Sequence, residues 1–269
     1  MSSTRGYEVL YADEHVIVVN KDPGVLTVPD RFDPFKLNLA TALRRAYEEV
    51  YVVHRLDRDT SGILVFARDR TTHKNLNAQF LDRSADKFYL AITSGTPHPR
   101  EDLVDKPIGP DPRGGGRMRV DYHGGKESAT AYEVVESYRE QALVRLQLFT
   151  GRTHQVRVHM AAIGHPLAVD PLYGGADGLY LSKIKLRRFN LKQGTEERPL
   201  LARVSLHAYQ LAFDHPSTGQ RVDYTANPPK DFRSAVRQLQ KWSLVEGVSA
   251  RAGSDESGIE TRGRASRAE

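Results

Sequence analysis

Val53-His54-Arg55-Leu56-Asp57-Arg58-Asp59-Thr60-Ser61-Gly62 concentrates more chemically capable side chains than any other stretch of the chain. Apolar residues lead in at Tyr51 to Val53 and lead out at Ile63 to Ala67. Two buried strands would therefore cross a core, with a densely polar turn between them. Charge at the end of a strand carries a desolvation cost unless it is paired. The segment reads either as a salt-bridged turn or as a carboxylate, Asp57, held at the lip of a basic cleft. Asp59 reads as a surface or turn carboxylate.

A second cluster is Thr150-Gly151-Arg152-Thr153-His154-Gln155-Val156-Arg157-Val158-His159. Thr153 is the expected N-cap of a helix from His154 to Ile163, which Gly164-His165-Pro166 stops. Val156, Met160 and Ile163 would face the core, with Arg157 at the edge of that stripe. The helix macrodipole disfavours an arginine near a helix start. Arg157 is therefore either a surface capping residue or a cation with a carboxylate or phosphate to meet. His154 and His159 are five apart and do not share a helical face as a His-x-x-x-His zinc pair does. No metal site is expected.

The elements that must position these groups follow from periodicity. Tyr7 to Leu10 and Val16 to Val19 read as strands joined at Asp13-Glu14. Asn20-Lys21-Asp22-Pro23-Gly24 ends the second strand. Leu39, Leu43, Ala46, Tyr47 and Val50 recur at helical spacing and lead into the central segment. Thr71 to Phe80 reads as a helix capped by Asp69 or Thr71. Lys87 to Ile92 is a strand with Lys87, Tyr89 and Ala91 on one face and Phe88, Leu90 and Ile92 on the other. Pro97 to Tyr122, rich in proline and glycine, reads as irregular, either a mobile basic loop or a solvated linker. Ala129 to Val135 and Ala142 to Phe149 make a hairpin. Leu179 to Arg203 is a basic segment that either faces RNA or is simply solvated. Ser205 to Phe213 and Arg221 to Thr225 pair across a turn, and Asp231 to Trp242 is a final helix. The expected organisation is a lead-in at 1–10, one domain at 11–242, and a disordered tail at 243–269.

Composition bounds the class. The 269 residues include 39 Lys and Arg against 34 Asp and Glu, a net charge of +5 that is compatible with a nucleic-acid partner. With 39% apolar residues the chain can build a substantial core. The absence of cysteine excludes disulfides and thiolate chemistry. No apolar run reaches membrane-spanning length and no signal-type start is seen. A cytoplasmic protein without a membrane partner is expected.

In order, these motifs resemble the RluA-type pseudouridine synthases, over roughly Tyr11 to Phe232. His54-Arg55-Leu56-Asp57 with Thr60-Ser61-Gly62 is similar to the family's first motif. Lys87-Phe88-Tyr89 resembles its tyrosine strand. Gly151-Arg152-Thr153-His154-Gln155-Val156-Arg157, followed by Gly164-His165-Pro166, Asp170 and Tyr173-Gly174, resembles its third motif. Two positions depart from the pattern: Asp22 separates Lys21 from Pro23, and Val169 stands where the family usually has glycine. The resemblance implies an α+β fold with a mixed, largely antiparallel, bent central sheet, flanking helices and a central cleft. It also implies isomerisation of uridine to pseudouridine in RNA, with no cofactor.

Under that resemblance the catalytic residues are Asp57, Tyr89 and Arg157. Asp57 would take a proton from C2′ or attack C1′. Arg157 would pair with it, and Tyr89 would stack on uracil. Arg55 would enter the space the flipped base leaves, while His54, Thr60, Arg152 and His154 would scaffold the site or contact phosphate. Many relatives carry an N-terminal S4-type RNA-binding domain, for which this chain has no room. A stem-loop of rRNA or tRNA, rather than DNA, is the expected partner, bound by a monomer. An inactive RNA-binding protein of the same fold is the alternative. A glycoside hydrolase fits less well, because the motifs supply one carboxylate where that chemistry normally needs two.

Overall fold

The computed structural model describes residues 6–30, 33, 35–192 and 194–245. Its first half runs β1 (Tyr7–Ala12), β2 (Val16–Lys21), α1 (Leu39–Tyr47), β3 (Tyr51–Val52), β4 (Ser61–Ala67), α2 (Arg70–Leu81) and β5 (Asp86–Ser94). The second half runs β6 (Glu101–Asp105), β7 (Ile108–Pro110), β8 (Met118–Val120), β9 (Ala129–Ser137), β10 (Gln141–Leu148), α3 (Gln155–Ala162), α4 (Leu181–Lys185), β11 (Leu206–Asp214), β12 (Arg221–Thr225) and α5 (Lys230–Ser243). Eight strands lie in the order β1-β2-β4-β11-β5-β10-β9-β6, with β3 attached to β4 and β12 to β11. Their neighbours are antiparallel except β4 and β11, which run parallel through Ser61–His207 and Gly62–Ala208. This is the expected α+β fold with a mixed, largely antiparallel sheet and flanking helices.

The central place of β4 follows from its composition. All seven residues of Ser61–Ala67 are buried, as a strand covered on both faces requires. In β5, Lys87, Tyr89 and Ala91 face one way as the alternation predicts. Tyr89 and Ala91 join the larger core with Leu64, Phe66 and Leu146. Leu90 and Ile92 face a second core built with Phe232 and Leu239 of α5. Asp69 caps α2 by accepting from the Thr72 amide at 2.8 Å.

Several expectations change. The strand at 51–53 shrinks to two half-buried residues, because only β4 is deep enough in the sheet to need a continuous apolar run. Residues 97–122, expected to be irregular, contain β6, β7 and β8. The prolines at 97, 99, 107 and 112 stand outside these strands and Pro110 ends β7, so the β6 ladder keeps all its donors. Gly114, Gly115 and Gly116, all at positive φ, form the tip between β7 and β8. A boundary at position 10 falls inside β1, which pairs with β2 from Tyr7↔Lys21 onward. At the other end, the Val245 amide donates to Ser137 at 3.1 Å. The disordered tail expected at 243–269 therefore begins inside described structure, with Ser243 ending α5 and Leu244 bridged to Tyr138, and its remainder at 246–269 lies outside the described residues.

Candidate active site

Asp57 stands on the loop between β3 and β4, its side chain 27% exposed. Several tethers hold this loop. Thr27 Oγ1 donates to the Leu56 carbonyl and accepts from the Leu56 amide, both at 3.1 Å. Lys21, with no exposed surface, donates to the carbonyls of Arg58 (2.9 Å), Asp22 (2.9 Å) and Val25 (2.8 Å). Burial lowers the Lys21 ammonium to about 7, yet three carbonyls receive its three protons. Arg203 Nη1 reaches the Asp59 carbonyl at 3.3 Å and its Nε pairs with Asp231 of α5 at 2.7 Å. A carboxylate on a loop thus gains the fixity of one on a strand.

Two groups converge on one oxygen of Asp57. Arg157 Nη1 lies 3.4 Å from Oδ2, and His154 Nε2 lies 3.7 Å from the same atom. Among the described residues, Oδ1 accepts no hydrogen bond from protein. Arg157 is 7% exposed and makes a tighter, two-pronged pair with Asp170, Nε–Oδ2 2.7 Å and Nη2–Oδ1 2.9 Å. Burial opposes the charge on Arg157, but Asp170 and Asp57 together raise its pKa further above the usual range. Asp170 has no exposed surface. The sequence noted this aspartate without giving it a role; the signal that could have found it is the Asp-x-x-Tyr-Gly turn following the arginine helix.

Arg55, Asp57, Thr60, Tyr89, Arg152, His154 and Arg157 line one open pocket. Tyr89 is 8% exposed, and burial, then the charge of Asp57, raises its pKa, so the phenol stays neutral. Thr60 Oγ1 is buried and has no hydrogen-bond partner among the described residues. Arg152 is exposed at the rim, its Nε on the Glu127 carbonyl at 3.1 Å. Arg55 is also exposed. Asp59 pairs with its neighbour Arg58 at 3.1 Å, as a turn carboxylate should.

His54 does not line this pocket. Its Nε2 accepts from the Val65 amide at 3.2 Å, and its ring lies 4.6 Å from that of Phe80. Burial, then the charge of Lys87, drives its pKa down to about 3. It braces the loop from behind. Thr153 is not the cap of α3 either. His154 occupies that position at φ 57° without a side-chain capping bond, and the Gln155 side chain instead ties down the loop that leads into the helix. It accepts from Thr150 Oγ1 (2.7 Å) and the Arg152 amide (3.0 Å), and donates to Thr130 Oγ1 (2.9 Å) and the Ala129 carbonyl (3.0 Å). The left-handed residue turns the imidazole into the pocket. His159 bonds Thr130 Oγ1 at 3.0 Å and the Lys106 carbonyl at 2.9 Å, and is structural.

Val169, which replaces the glycine usual in the resembled motif, is 1% exposed and lies outside the positive-φ residues. The close approach in this turn falls instead at Gly175, where a Cβ would lie 2.5 Å from the Asp170 nitrogen.

The fold is similar to two solved structures. Human RNA Pseudouridylate Synthase Domain Containing 1 superposes with a TM-score of 0.67 at 27% identity, over 93% of this chain and 94% of that one. Human RNA Pseudouridylate Synthase Domain Containing 4 gives 0.65 at 25% identity, over 88% and 94%. A mixed sheet with an arginine-held aspartate in its cleft defines the pseudouridine synthase class. Residues 15–162 match the family described as RNA pseudouridylate synthase. Dual-specificity RNA pseudouridine synthase RluA of Escherichia coli K12 is 38% identical over 225 residues, 83% of this chain and 93% of the relative. Ribosomal large subunit pseudouridine synthase D of Zymomonas mobilis is 34% identical over 243 residues, 86% and 72%. The chain belongs to the RluA-type pseudouridine synthase family. Its Asp57–Arg157 pair is the aspartate–arginine dyad of an isomerase that converts uridine in RNA to pseudouridine.

Proposed function

We propose that this enzyme isomerises a specific uridine within a compact stem-loop of transfer or large-subunit ribosomal RNA, with Asp57 acting on the ribose. The observation that carries this reading is the one-sided grip on Asp57. Arg157 and His154 occupy Oδ2 and leave Oδ1 to the pocket. The names of the relatives, one a dual-specificity RNA pseudouridine synthase and one a ribosomal large subunit pseudouridine synthase, support RNA as the substrate and large-subunit ribosomal RNA as one class of it.

Isomerisation moves the sugar bond from N1 to C5 of the same base, so no redox partner or group donor is needed. Asp57 either removes the C2′ proton as N1 departs with the C1′–N1 electron pair, or attacks C1′ and is later displaced by C5. In both routes uracil turns and C5 bonds to C1′. On the first, Asp57 returns its proton to C2′ as that bond forms. On both, C5 then gives up its proton while N1, which left with the bonding pair, takes one up. Tyr89, held neutral beside Asp57, supplies a flat surface for the base and a hydroxyl near its edge. Arg55 at the exposed lip fills the stack the nucleotide has left, and Thr60, Arg152 and His154 position the ribose and its phosphates.

The test is chemical-tag mapping of pseudouridine in total RNA from cells with and without the gene, rescued by wild type or by Asp57→Ala. Loss of one site that wild type alone restores identifies activity and target. Purified protein that binds candidate RNA fragments but leaves their uridines unchanged would shift the reading to an inactive RNA-binding protein.

A further inference from the structure

The Asp170–Gly175 turn holds both groups that touch Asp57. Asp170 clamps Arg157, as described. Three residues on, the Tyr173 hydroxyl lies 2.8 Å from His154 Nδ1. The same oxygen accepts the Met118 backbone amide at 2.8 Å. The Tyr173 ring is 8% exposed and carries Arg157 at 4.9 Å and Arg117 at 5.2 Å from its centroid. Arg117 also pairs at 3.2 Å with Asp111, at the base of the β7–β8 turn. One phenol therefore joins the glycine-tipped hairpin to the catalytic carboxylate.

The hydrogen-bond inventory assigns the protons. Tyr173 Oη has two hydrogen-bond partners among the described residues: it accepts the Met118 N–H, and His154 Nδ1 is the acceptor within reach of its own proton. That leaves the imidazole proton on Nε2, the nitrogen that faces Asp57 Oδ2. Had the Tyr173 hydroxyl been missing, the ring could flip, take the other tautomer, or protonate.

We propose that Tyr173 is a positioning residue for the isomerisation, locking His154 as the Nε2–H tautomer toward Asp57 and tying that lock to the β7–β8 hairpin. This rests on the reading of Asp57 as the reacting carboxylate. The charged groups around His154 are Asp57, Arg157, Asp170 and Arg55. Burial first, with Arg157 and Arg55 adding to it, lowers the pKa of the ring, so the wild-type imidazole is neutral in the working range. A phenol donating to Nδ1 supports that neutral form. Without it the ring protonates more readily.

Tyr173→Phe keeps the ring between its arginines and deletes only the hydroxyl. On the mapped RNA fragment, kcat is expected to fall between about tenfold and about a hundredfold with little change in KM, the signature of misplacement at the reacting centre. The acidic limb of the kcat profile is expected to move to higher pH. The ¹⁵N spectrum of wild-type protein labelled at histidine should show His154 protonated at Nε2 and bare at Nδ1. An Nδ1–H tautomer in that spectrum overturns the proposal whether or not the variant folds. So does a folded Tyr173→Phe enzyme with the wild-type kcat and pH profile. A lowered kcat with an unmoved acidic limb reduces Tyr173 to a structural role and also overturns it. Asp57→Ala is assayed in parallel: if it keeps its activity, the reading of Asp57 fails, while the tautomer measurement still stands.

Discussion

Gly62 lies so close to Ala208 that a Cβ built on it would stand 2.6 Å from the Ala208 nitrogen and nearer still to its carbonyl oxygen. These two residues pair where β4 and β11 run parallel. Gly62 also has φ +120°, a conformation that L side chains rarely adopt. The glycine that ends the catalytic motif is thus what lets β11 close against β4, directly after Asp57. Gly62→Ala is expected to destabilise the protein by about 3 kcal/mol or more, combining backbone strain with steric overlap. In a thermal melt that is a drop of roughly 6 °C or more. An unchanged Tm would show that the two strands can part there without loss.

His54 makes stability depend on acid. Its folded pKa of about 3 lies below the ordinary 6.5, so between those values the unfolded chain binds more protons. The contribution is fully present above pH 6.5 and is lost as pH falls toward 3. The slope added by this group is at most about 1.4 kcal/mol per pH unit. Urea midpoints between pH 4 and 8 should fall more steeply for wild type than for His54→Leu. His207, pushed down to about 4 by burial, leaves part of the slope in the variant. Parallel curves for the two proteins would remove His54 as the acid-sensitive brace.

Asp170→Asn breaks a buried ion pair and leaves Arg157 with one carboxylate where it had two. Loss of one partner of such a pair costs about 3–5 kcal/mol. The freed guanidinium no longer has its fork fixed, so kcat should fall about a hundredfold even in the fraction that is folded. Denaturant titration and single-turnover assays at low temperature read the two effects separately. Wild-type turnover in a destabilised variant would mean that Arg157 is placed by α3 alone.

Arg55 is exposed, so Arg55→Ala should leave stability within about 0.5 kcal/mol of wild type. Its loss should weaken RNA binding and lower the slope of log K against log salt by about 1 if the guanidinium meets a phosphate. An unchanged slope with a lowered kcat would place it in the base stack instead.

Much of the site was legible because its residues lie in short, dense motifs. Asp57, Tyr89 and Arg157 each sit in a run whose neighbours declare a strand or helix, and all three reach one pocket. The hidden parts depend on distant partners. Lys21 reads as the end of a strand until its ammonium is seen among the carbonyls of the Asp57 loop. The Asp-x-x-Tyr-Gly turn marks Asp170 in the sequence, but only the fold brings its carboxylate to Arg157. Thr153 carries the right side chain for a cap, but the left-handed backbone at His154 makes that residue the N-cap, and no side chain caps the helix. In β6 to β8, prolines at strand margins mimic a loop, since composition alone does not tell an end from an interior.

Arg157 is bound twice, and the two carboxylates are unequal. The nearer, Asp170, is sealed away from solvent. The farther, Asp57, surrenders its negative charge during turnover under the proposed function, whether by gaining a proton or by bonding to carbon. At that moment a guanidinium with only one counterion would be stranded beneath the substrate. Because Asp170 grips Arg157 at two points and has no surface on the pocket side, the guanidinium keeps a carboxylate partner whatever happens at Asp57. The site keeps its shape through a swing in its own electrostatics, ready to receive the carboxylate back when the product leaves.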